Sequence, residues 1–100
     1  MSDNANTPID LNHIAAVAKL YRLQFEEAQD SWVLLYPEGM VKLNGPAGEI
    51  LKRCDGEKNI NSIIQELETA FDQKGLEKDV LAFLEIALEK RWVTLSESPK

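Results

Sequence analysis

The chain has very few of the side chains that most often perform catalysis or bind metals. It holds one cysteine and one histidine in 100 residues, Cys54 and His13. A single cysteine cannot form an internal disulfide, and no Cys-x-x-Cys or His-Glu-x-x-His motif offers metal-ligand spacing. A Cys–His nucleophile pair needs hydrogen-bond proximity and a third orienting group, which the sequence does not indicate. We therefore predict no catalytic residue, no metal and no cofactor, with Cys54 a small buried hydrophobic residue.

Basic residues are also scarce, with 11 lysines and arginines against 17 acidic residues and a net charge of −6. Lys and Arg supply most of the affinity for nucleic acids and anionic membrane surfaces, so both partners are disfavoured. No apolar run approaches the ~18–20 residues that cross a bilayer. Residues 1–10 carry two acids and no base, unlike a signal or transit peptide. The expected location is the cytoplasm.

The remaining composition is that of one small folded domain. Hydrophobic residues make up 44% of the chain, which is enough for a packed core. We predict a flexible N-terminal extension over residues 1–20, a domain over residues 21–95 and a frayed tail over residues 96–100. Within the extension, residues 9–20 are ambiguous, because their apolar side chains fit either a loose helical turn or an extended arm.

Three short strands are predicted at the start of the domain. Residues 21–27 alternate apolar and polar side chains, which is the period of a half-buried strand. Residues 32–36 and 40–43 form two further strands, separated by the tight-turn sequence Pro-Glu-Gly at 37–39. The short connections predict an antiparallel meander.

The period of the pattern then changes to that of a helix. Apolar spacing predicts one helix from about Asn44 to Cys54, stopped by Gly56, and a second that begins near residue 60 and stops at Gly75. A third helix is predicted over residues 76–91, followed by an extended segment at 92–95. Strands followed by helices predict an α+β fold. Its architecture would be a three-stranded antiparallel β-meander followed by a three-helix bundle, similar to a winged helix-turn-helix.

A winged helix raises the alternative of a DNA-binding regulator. A recognition helix that enters the major groove should present Lys and Arg to the phosphates and base edges. The second predicted helix contains no Lys or Arg from Ile60 to Asp72, and the third contains four acids against Lys78, Lys90 and Arg91. The charge of both helices disfavours this function, which stays as the alternative.

Two features favour the capture of a peptide. The strand at residues 40–43 lies at a sheet edge, where free N–H and C=O groups can pair with an extended guest chain. The shortness of this strand and the charge of Lys42 are equally consistent with an edge that is protected from pairing. The third helix spreads apolar residues over roughly 220° of its circumference, more than one buried face needs. The surplus fits a groove wall, a dimer seam, cover for the N-terminal arm or a helix buried on two sides.

Several stretches of the chain resemble the pyrroloquinoline quinone biosynthesis protein D (PqqD) family. They are RLQFEEAQ at residues 22–29, WVLLYPEG at 32–39, VKLN at 41–44, Ile50-Leu51, and CDG at 54–56. The WVLLYPEG block and the CDG step together are specific, and the resemblance runs from about Tyr21 to Val93. Residues 1–20 are not part of the pattern.

The resemblance implies a peptide chaperone rather than an enzyme. Such proteins bind the ribosomally made precursor peptide PqqA and present it to the radical S-adenosylmethionine enzyme PqqE, which cross-links a Glu and a Tyr of the peptide. The cofactor pyrroloquinoline quinone is built from those two residues. The precursor adds as a strand to the third strand and lies against the third helix. Carried over to this sequence, the peptide-binding positions are Met40, Val41, Lys42 and Leu43 on the strand, and Lys78, Leu81, Glu85 and Leu88 on the helix.

Overall fold

The computed structural model describes residues 9–97, which form six strands and three helices. In chain order these are β1 (Ile14–Val17), β2 (Arg22–Glu26), β3 (Ser31–Tyr36), β4 (Gly39–Lys42), α1 (Gly45–Lys52), β5 (Asp55–Asn59), α2 (Ile60–Phe71), α3 (Glu77–Glu89) and β6 (Val93–Ser96). The predicted α+β class is confirmed. The strands, however, form two small antiparallel sheets, and the sequence predicted only the first of them.

The first sheet contains β2, β3 and β4 in that order. Leu34 of β3 lies opposite Leu23 of β2 and Val41 of β4, so the alternation of each strand puts these side chains on one face. Trp32 lies on the same face and packs against Gly48 of α1, where an added Cβ would be 2.3 Å from Trp32 Cδ1. The absence of a side chain at Gly48 therefore lets α1 lie directly on the sheet.

The second sheet is built around β1, which pairs with β5 on one side and β6 on the other. Ile14 and Ala15 are 9% and 0% exposed. The structure thus corrects the prediction of a flexible extension over residues 1–20, because residues 14–17 are the central strand of a sheet. Backbone pairing on both edges stabilises a strand whose Ala-rich sequence shows no clear alternation. Residues 1–8 lie outside the described part of the chain.

The C-terminal boundary of the fold also differs slightly from the prediction. Ser96 was expected to fray, but it is the last residue of β6 and pairs with Ile14. This pairing ties the end of the domain to its first strand. Residues 98–100 lie outside the described part of the chain.

The sequence does not predict β5, because residues 55–59 contain no large apolar side chain. Gly56, expected to stop the first helix, lies within this strand at φ +83°, and α1 already ends at Lys52. The Asp55 carboxylate accepts hydrogen bonds from Lys58 Nζ at 2.8 Å and from the Glu57 N–H at 2.9 Å. These bonds, the Lys58 bond first, lower the pKa of Asp55 to about 2. A local turn and the backbone of β1 therefore hold β5 in place.

Side-chain caps set where α1 and α2 begin. Asn44 Oδ1 accepts the N–H of Ala47 at 2.8 Å, and Asn59 Oδ1 accepts the N–H of Ser62 at 2.8 Å. The second helix stops earlier than predicted: α2 ends at Phe71, because Asp72 adopts the left-handed conformation at φ 53°. Asp is one of the few residues other than glycine that tolerates this conformation.

One hydrophobic core joins the two sheets and the three helices. Ala15 of β1 and Val93 of β6 belong to the same cluster of buried residues as Leu34 of β3. Cys54 is part of that cluster and is 4% exposed, as expected of a small core residue. Each of the largest fully buried side chains of the cluster comes from β3 or a helix: Leu34, Leu51, Ile60, Ile63 and Leu84.

Candidate functional site

The outer edge of β4 has no partner strand within residues 9–97. The first sheet is ordered β2, β3, β4, so β4 pairs on one side only. The N-terminal segment lies elsewhere: the carbonyls of Leu11 and His13 accept hydrogen bonds from Asn61 and Ile60 at the start of α2. It continues into β1 of the second sheet. The described part of the N-terminal arm therefore leaves this edge open.

The hydrogen-bonding phase of β4 shows which backbone groups are free. The N–H of Leu43 donates to the carbonyl of Trp32 at 2.9 Å, and Lys42 lies opposite Val33. In an antiparallel pair, successive residues point their N–H and C=O groups alternately toward the partner strand and away from it. The backbone groups of Leu43 and Val41 therefore point to β3, whereas those of Lys42 and Met40 point outward.

This phase divides the four predicted strand positions into two pairs. Met40 and Lys42 can pair with an added strand, but Val41 and Leu43 are already engaged with β3. The side chains alternate in the same register. Leu43 is 6% exposed and Val41 packs on the core, while Met40 is 50% exposed on the other face of the sheet. Val41 and Leu43 thus fix β4 on β3 and on the core, whereas the backbone groups of Met40 and Lys42 remain free to pair with another strand.

The predicted helix positions lie on one flank of α3, since Lys78, Leu81, Glu85 and Leu88 are three or four residues apart. Lys78 and Glu85 are exposed, whereas Leu81 and Leu88 are partly buried against the core. The fully inward positions of α3 are instead Val80, Leu84 and Ala87. Leu81 and Leu88 of α3 pack against the same hydrophobic core as Val41 of β4.

A second concave surface, which the sequence analysis did not identify, lies where the three helices meet. We call it the helix groove; it has a volume of about 610 Å³. Its lining residues come from α1, the end of α2, the connection that follows it and the start of α3: Gly45, Pro46, Glu49, Ile50, Leu67, Phe71, Gln73, Leu76, Asp79 and Val80. The one sequence signal that points to it is the broad apolar arc of the third helix.

The helix groove and the β4 edge are on different sides of α1. Gly45, Pro46 and Glu49 project toward the groove, whereas Gly48 projects from another side of the helix and contacts Trp32 of the sheet. On α3, the groove residues Asp79 and Val80 lie across the helix from the predicted stripe that contains Lys78. The molecule therefore offers two separate surfaces.

The residues that most resemble a nucleophile pair are not joined in the structure. Cys54 Sγ contacts the carbonyl of Ile50 at 3.3 Å, and His13 Nδ1 accepts the N–H of Asp10 at 3.3 Å. Burial, and then the nearby Asp55 carboxylate, raise the pKa of the Cys54 thiol to about 12. A thiol of that pKa is almost entirely protonated at neutral pH and is a poor nucleophile.

We expect Cys54 to resist alkylation in the folded protein. With iodoacetamide at pH 8, labelling followed by mass spectrometry should be slower by at least about 100-fold than in the urea-unfolded chain, because both burial and the raised pKa limit thiolate formation. The unfolded chain is the control for intrinsic reactivity. Equal labelling rates in the two states would contradict the burial of this thiol.

The described residues provide neither a membrane-spanning helix nor a cluster of potential metal ligands. None of α1, α2 and α3 has the length and apolar content that crossing a bilayer requires. Across residues 9–97, no three or more His, Cys, Asp or Glu side chains are grouped so that they could hold a metal ion.

Comparison with known proteins gives a consistent result. Residues 31–93 match the family model described as Coenzyme PQQ synthesis protein D (PqqD). A PqqA binding protein from Pseudomonas aeruginosa is 48% identical over 86 residues, which cover 85% of this chain and 94% of that protein. A PqqA binding protein from Methylococcus capsulatus is 48% identical over 77 residues, covering 77% and 83% of the two chains.

A solved structure extends the comparison to the fold. It is the solution NMR structure of the PqqD truncation of Methylobacterium extorquens PqqCD, which represents a functional, stand-alone recognition element for ribosomally synthesized and post-translationally modified peptides. The two chains are 29% identical and superpose with a TM-score of 0.73. The match covers 88% of this chain and 96% of the other.

Proposed function

This chain belongs to the PqqD family, and from that membership we propose that it binds the precursor peptide PqqA along the free edge of β4 and presents it to the radical S-adenosylmethionine enzyme PqqE. Members of the family are peptide-binding proteins and not catalysts. The reaction served is the biosynthesis of pyrroloquinoline quinone, and the proposed location is the cytoplasm, where a ribosomally made peptide first appears.

The observation that carries this proposal is the outward direction of the backbone groups of Met40 and Lys42. Within the described residues they have no strand to pair with, although the strand that carries them is fixed by Val41 and Leu43. An extended peptide that adds to β4 satisfies these groups and its own at the same time. Backbone pairing gives affinity for a flexible guest, and side-chain contacts on each face of the sheet select its sequence.

Presentation to an enzyme requires no chemistry from this protein. A short precursor peptide is flexible, and holding one part of it in a fixed strand raises the concentration of the reacting part near the enzyme. It also reduces the entropy that the enzyme must remove to orient the substrate. This role fits a chain whose one thiol is buried and protonated.

The DNA-binding alternative gains no support from the fold. Helix α2 contains no Lys or Arg, and α3 contains four acids and one lysine, Lys78. A helix with this charge repels the phosphates that a recognition helix must contact. We therefore retain peptide binding as the function.

The proposal predicts a specific pattern of amide protection. When PqqA binds, hydrogen exchange measured by NMR should slow at Met40 and Lys42 by at least about 10-fold, because their N–H groups then donate to the peptide. Val41 and Leu43 serve as internal controls, since their N–H groups already face β3. Binding of PqqA without added protection at Met40 and Lys42 would show that the peptide lies elsewhere.

A second measurement addresses presentation. The rate at which PqqE cross-links PqqA should rise when this protein is added at a concentration above its affinity for the peptide. An equal rate with and without the protein would contradict the role in presentation while leaving peptide binding intact.

A further inference from the structure

The helix groove is an apolar concavity that the proposed function does not use. Its floor is made by Ile50, Leu67 and Val80, and its rim includes Phe71, which is 47% exposed. An aromatic ring held half out of the core at the mouth of a groove is typical of an anchor contact for a partner. The groove therefore has the shape and composition of a docking surface.

The walls of the groove determine the conformation of its occupant. No strand of the described residues lines the groove, and several N–H groups beside it are already bonded: Ala47 N–H to Asn44 Oδ1 at 2.8 Å, and Leu76 N–H to Glu68 Oε2 at 3.0 Å. The N–H of Gln73 likewise donates to the carbonyl of Glu68 at 3.0 Å. An extended guest would find no free edge here and would leave its own backbone groups unpaired. An amphipathic helix, which satisfies its backbone internally, fits such a groove.

The charge around the groove indicates the chemistry of that helix. Glu49 and Asp79 are the charged residues among its lining, and both are acidic. One oxygen of Glu49 pairs with Arg53 at 2.8 Å, so Asp79 carries most of the charge that faces the groove. The whole chain has a net charge of −6. A helix whose polar side carries Lys or Arg complements this surface, and an acidic helix is repelled.

We propose that the helix groove is a second docking site, which binds a basic amphipathic helix of the enzyme that acts on the bound peptide. The identity of this partner rests on the proposed function; the location and the helical form rest on the groove. Because α1 separates the groove from the first sheet, the peptide on β4 and the helix in the groove can be bound together. The protein then holds substrate and enzyme on two different surfaces.

The test uses the full chain with purified PqqE and PqqA as separate probes in calorimetric titrations. Phe71→Gln keeps the helix-forming tendency of this position but removes the exposed ring, and should weaken PqqE binding by about 10-fold. Leu20→Gln is the matched control, because Leu20 is 72% exposed and lies outside the groove. Neither variant should alter the affinity for PqqA.

A second pair of variants tests the charge. Asp79→Asn should weaken PqqE binding by about 3-fold and flatten its dependence on salt, because it removes the acid that attracts the basic helix. Glu27→Gln, in the exposed turn after β2, removes an acid away from the groove and should leave both the affinity and the salt dependence unchanged.

Each alternative outcome contradicts a defined part of the inference. If the wild-type protein binds PqqA but Phe71→Gln, still folded by circular dichroism, binds PqqE as tightly as wild type, the groove is not the docking site although the proposed function stands. If Phe71→Gln weakens PqqA binding equally, the groove belongs to the peptide site. If sedimentation shows that Phe71→Gln dissociates a dimer, the occupant is a second copy of this chain. If wild type binds no PqqE, both this inference and the role in presentation are wrong.

Discussion

Lys42→Pro should weaken the binding of PqqA by about 30-fold or more while the protein stays folded. Proline has no N–H, so the variant removes one of the outward donors of β4 and leaves a carbonyl of the bound peptide unpaired, which costs about 2 kcal/mol or more. The ladder between β4 and β3 is intact, because the N–H of Lys42 points away from β3. Proline is tolerated at such a position on an edge strand. The affinity is measured by calorimetry, and the fold by circular dichroism.

Three control variants separate the loss of the Lys42 backbone N–H from other effects of the substitution. Lys42→Ala keeps the N–H and should reduce affinity by less than about 3-fold. Val41→Pro removes an N–H that faces β3 and should destabilise the sheet itself. Phe25→Pro removes an outward N–H on β2, the opposite edge of the same sheet, and should not affect PqqA binding. A folded Lys42→Pro variant with wild-type affinity would exclude strand addition at β4.

Gly48→Ala should lower the free energy of unfolding by about 2–3 kcal/mol. A methyl group at this position would be 2.3 Å from Cδ1, 2.5 Å from Cγ and 2.7 Å from Cβ of Trp32, well inside van der Waals contact. Two of these atoms are close to the backbone of β3, so the ring cannot simply rotate away. Either α1 must lift from the sheet or Trp32 must leave its rotamer. The higher helix propensity of alanine offsets less than about 1 kcal/mol of this loss in stability.

Urea denaturation measures this loss as a lower transition midpoint with little change in slope. Gly45→Ala is the matched control: it lies in the same helix, nothing is within 4 Å of an added Cβ, and its stability should stay within about 0.5 kcal/mol of wild type. If Gly48→Ala were as stable as Gly45→Ala, the close packing of α1 on Trp32 would be contradicted. Because Leu43 beside β4 bonds to Trp32, a shifted β3 should also weaken PqqA binding.

The parts of the fold that follow from the sequence are those with a strong local pattern. The alternation in β2, the apolar run in β3 and the turn at residues 37–39 correctly predict the strands of the first sheet, and apolar spacing predicts all three helices within a few residues. In the helices and at Leu23 and Leu34 of the sheet, the side chains that form the pattern face the core, so period and burial agree.

The second sheet could not be predicted in this way. β1 is short and Ala-rich, and β5 consists of Asp, Gly, Glu, Lys and Asn. Their strand conformation depends on pairing with each other and with β6, which are distant in sequence. Such pairing is made by backbone groups, so it does not require a recognisable pattern of apolar and polar residues in the sequence.

The candidate site could be predicted from the sequence only in part, for a related reason. The resemblance supplied residues 40–43 and the α3 stripe, but sequence alone cannot give the hydrogen-bonding phase of an edge strand. The hydrogen bond from the Leu43 N–H to the Trp32 carbonyl shows that the backbone groups of Met40 and Lys42, not those of Val41 and Leu43, point away from β3. The helix groove was missed because Phe71, Leu76 and Val80 come from separate elements that meet only in the folded chain.

The position of β1 has a consequence for how the protein is made. Among the described strands β1 is synthesised first and β6 last, yet β1 lies between β5 and β6 in the sheet. On the ribosome the second edge of β1 stays uncovered until β6 has been synthesised, which requires almost the entire domain. The strands β2, β3 and β4, in contrast, form consecutive hairpins that can assemble as they emerge. The first sheet, with the free edge of β4, should thus form early in translation, and closure around β1 should be the late step that commits the nascent chain to its native state.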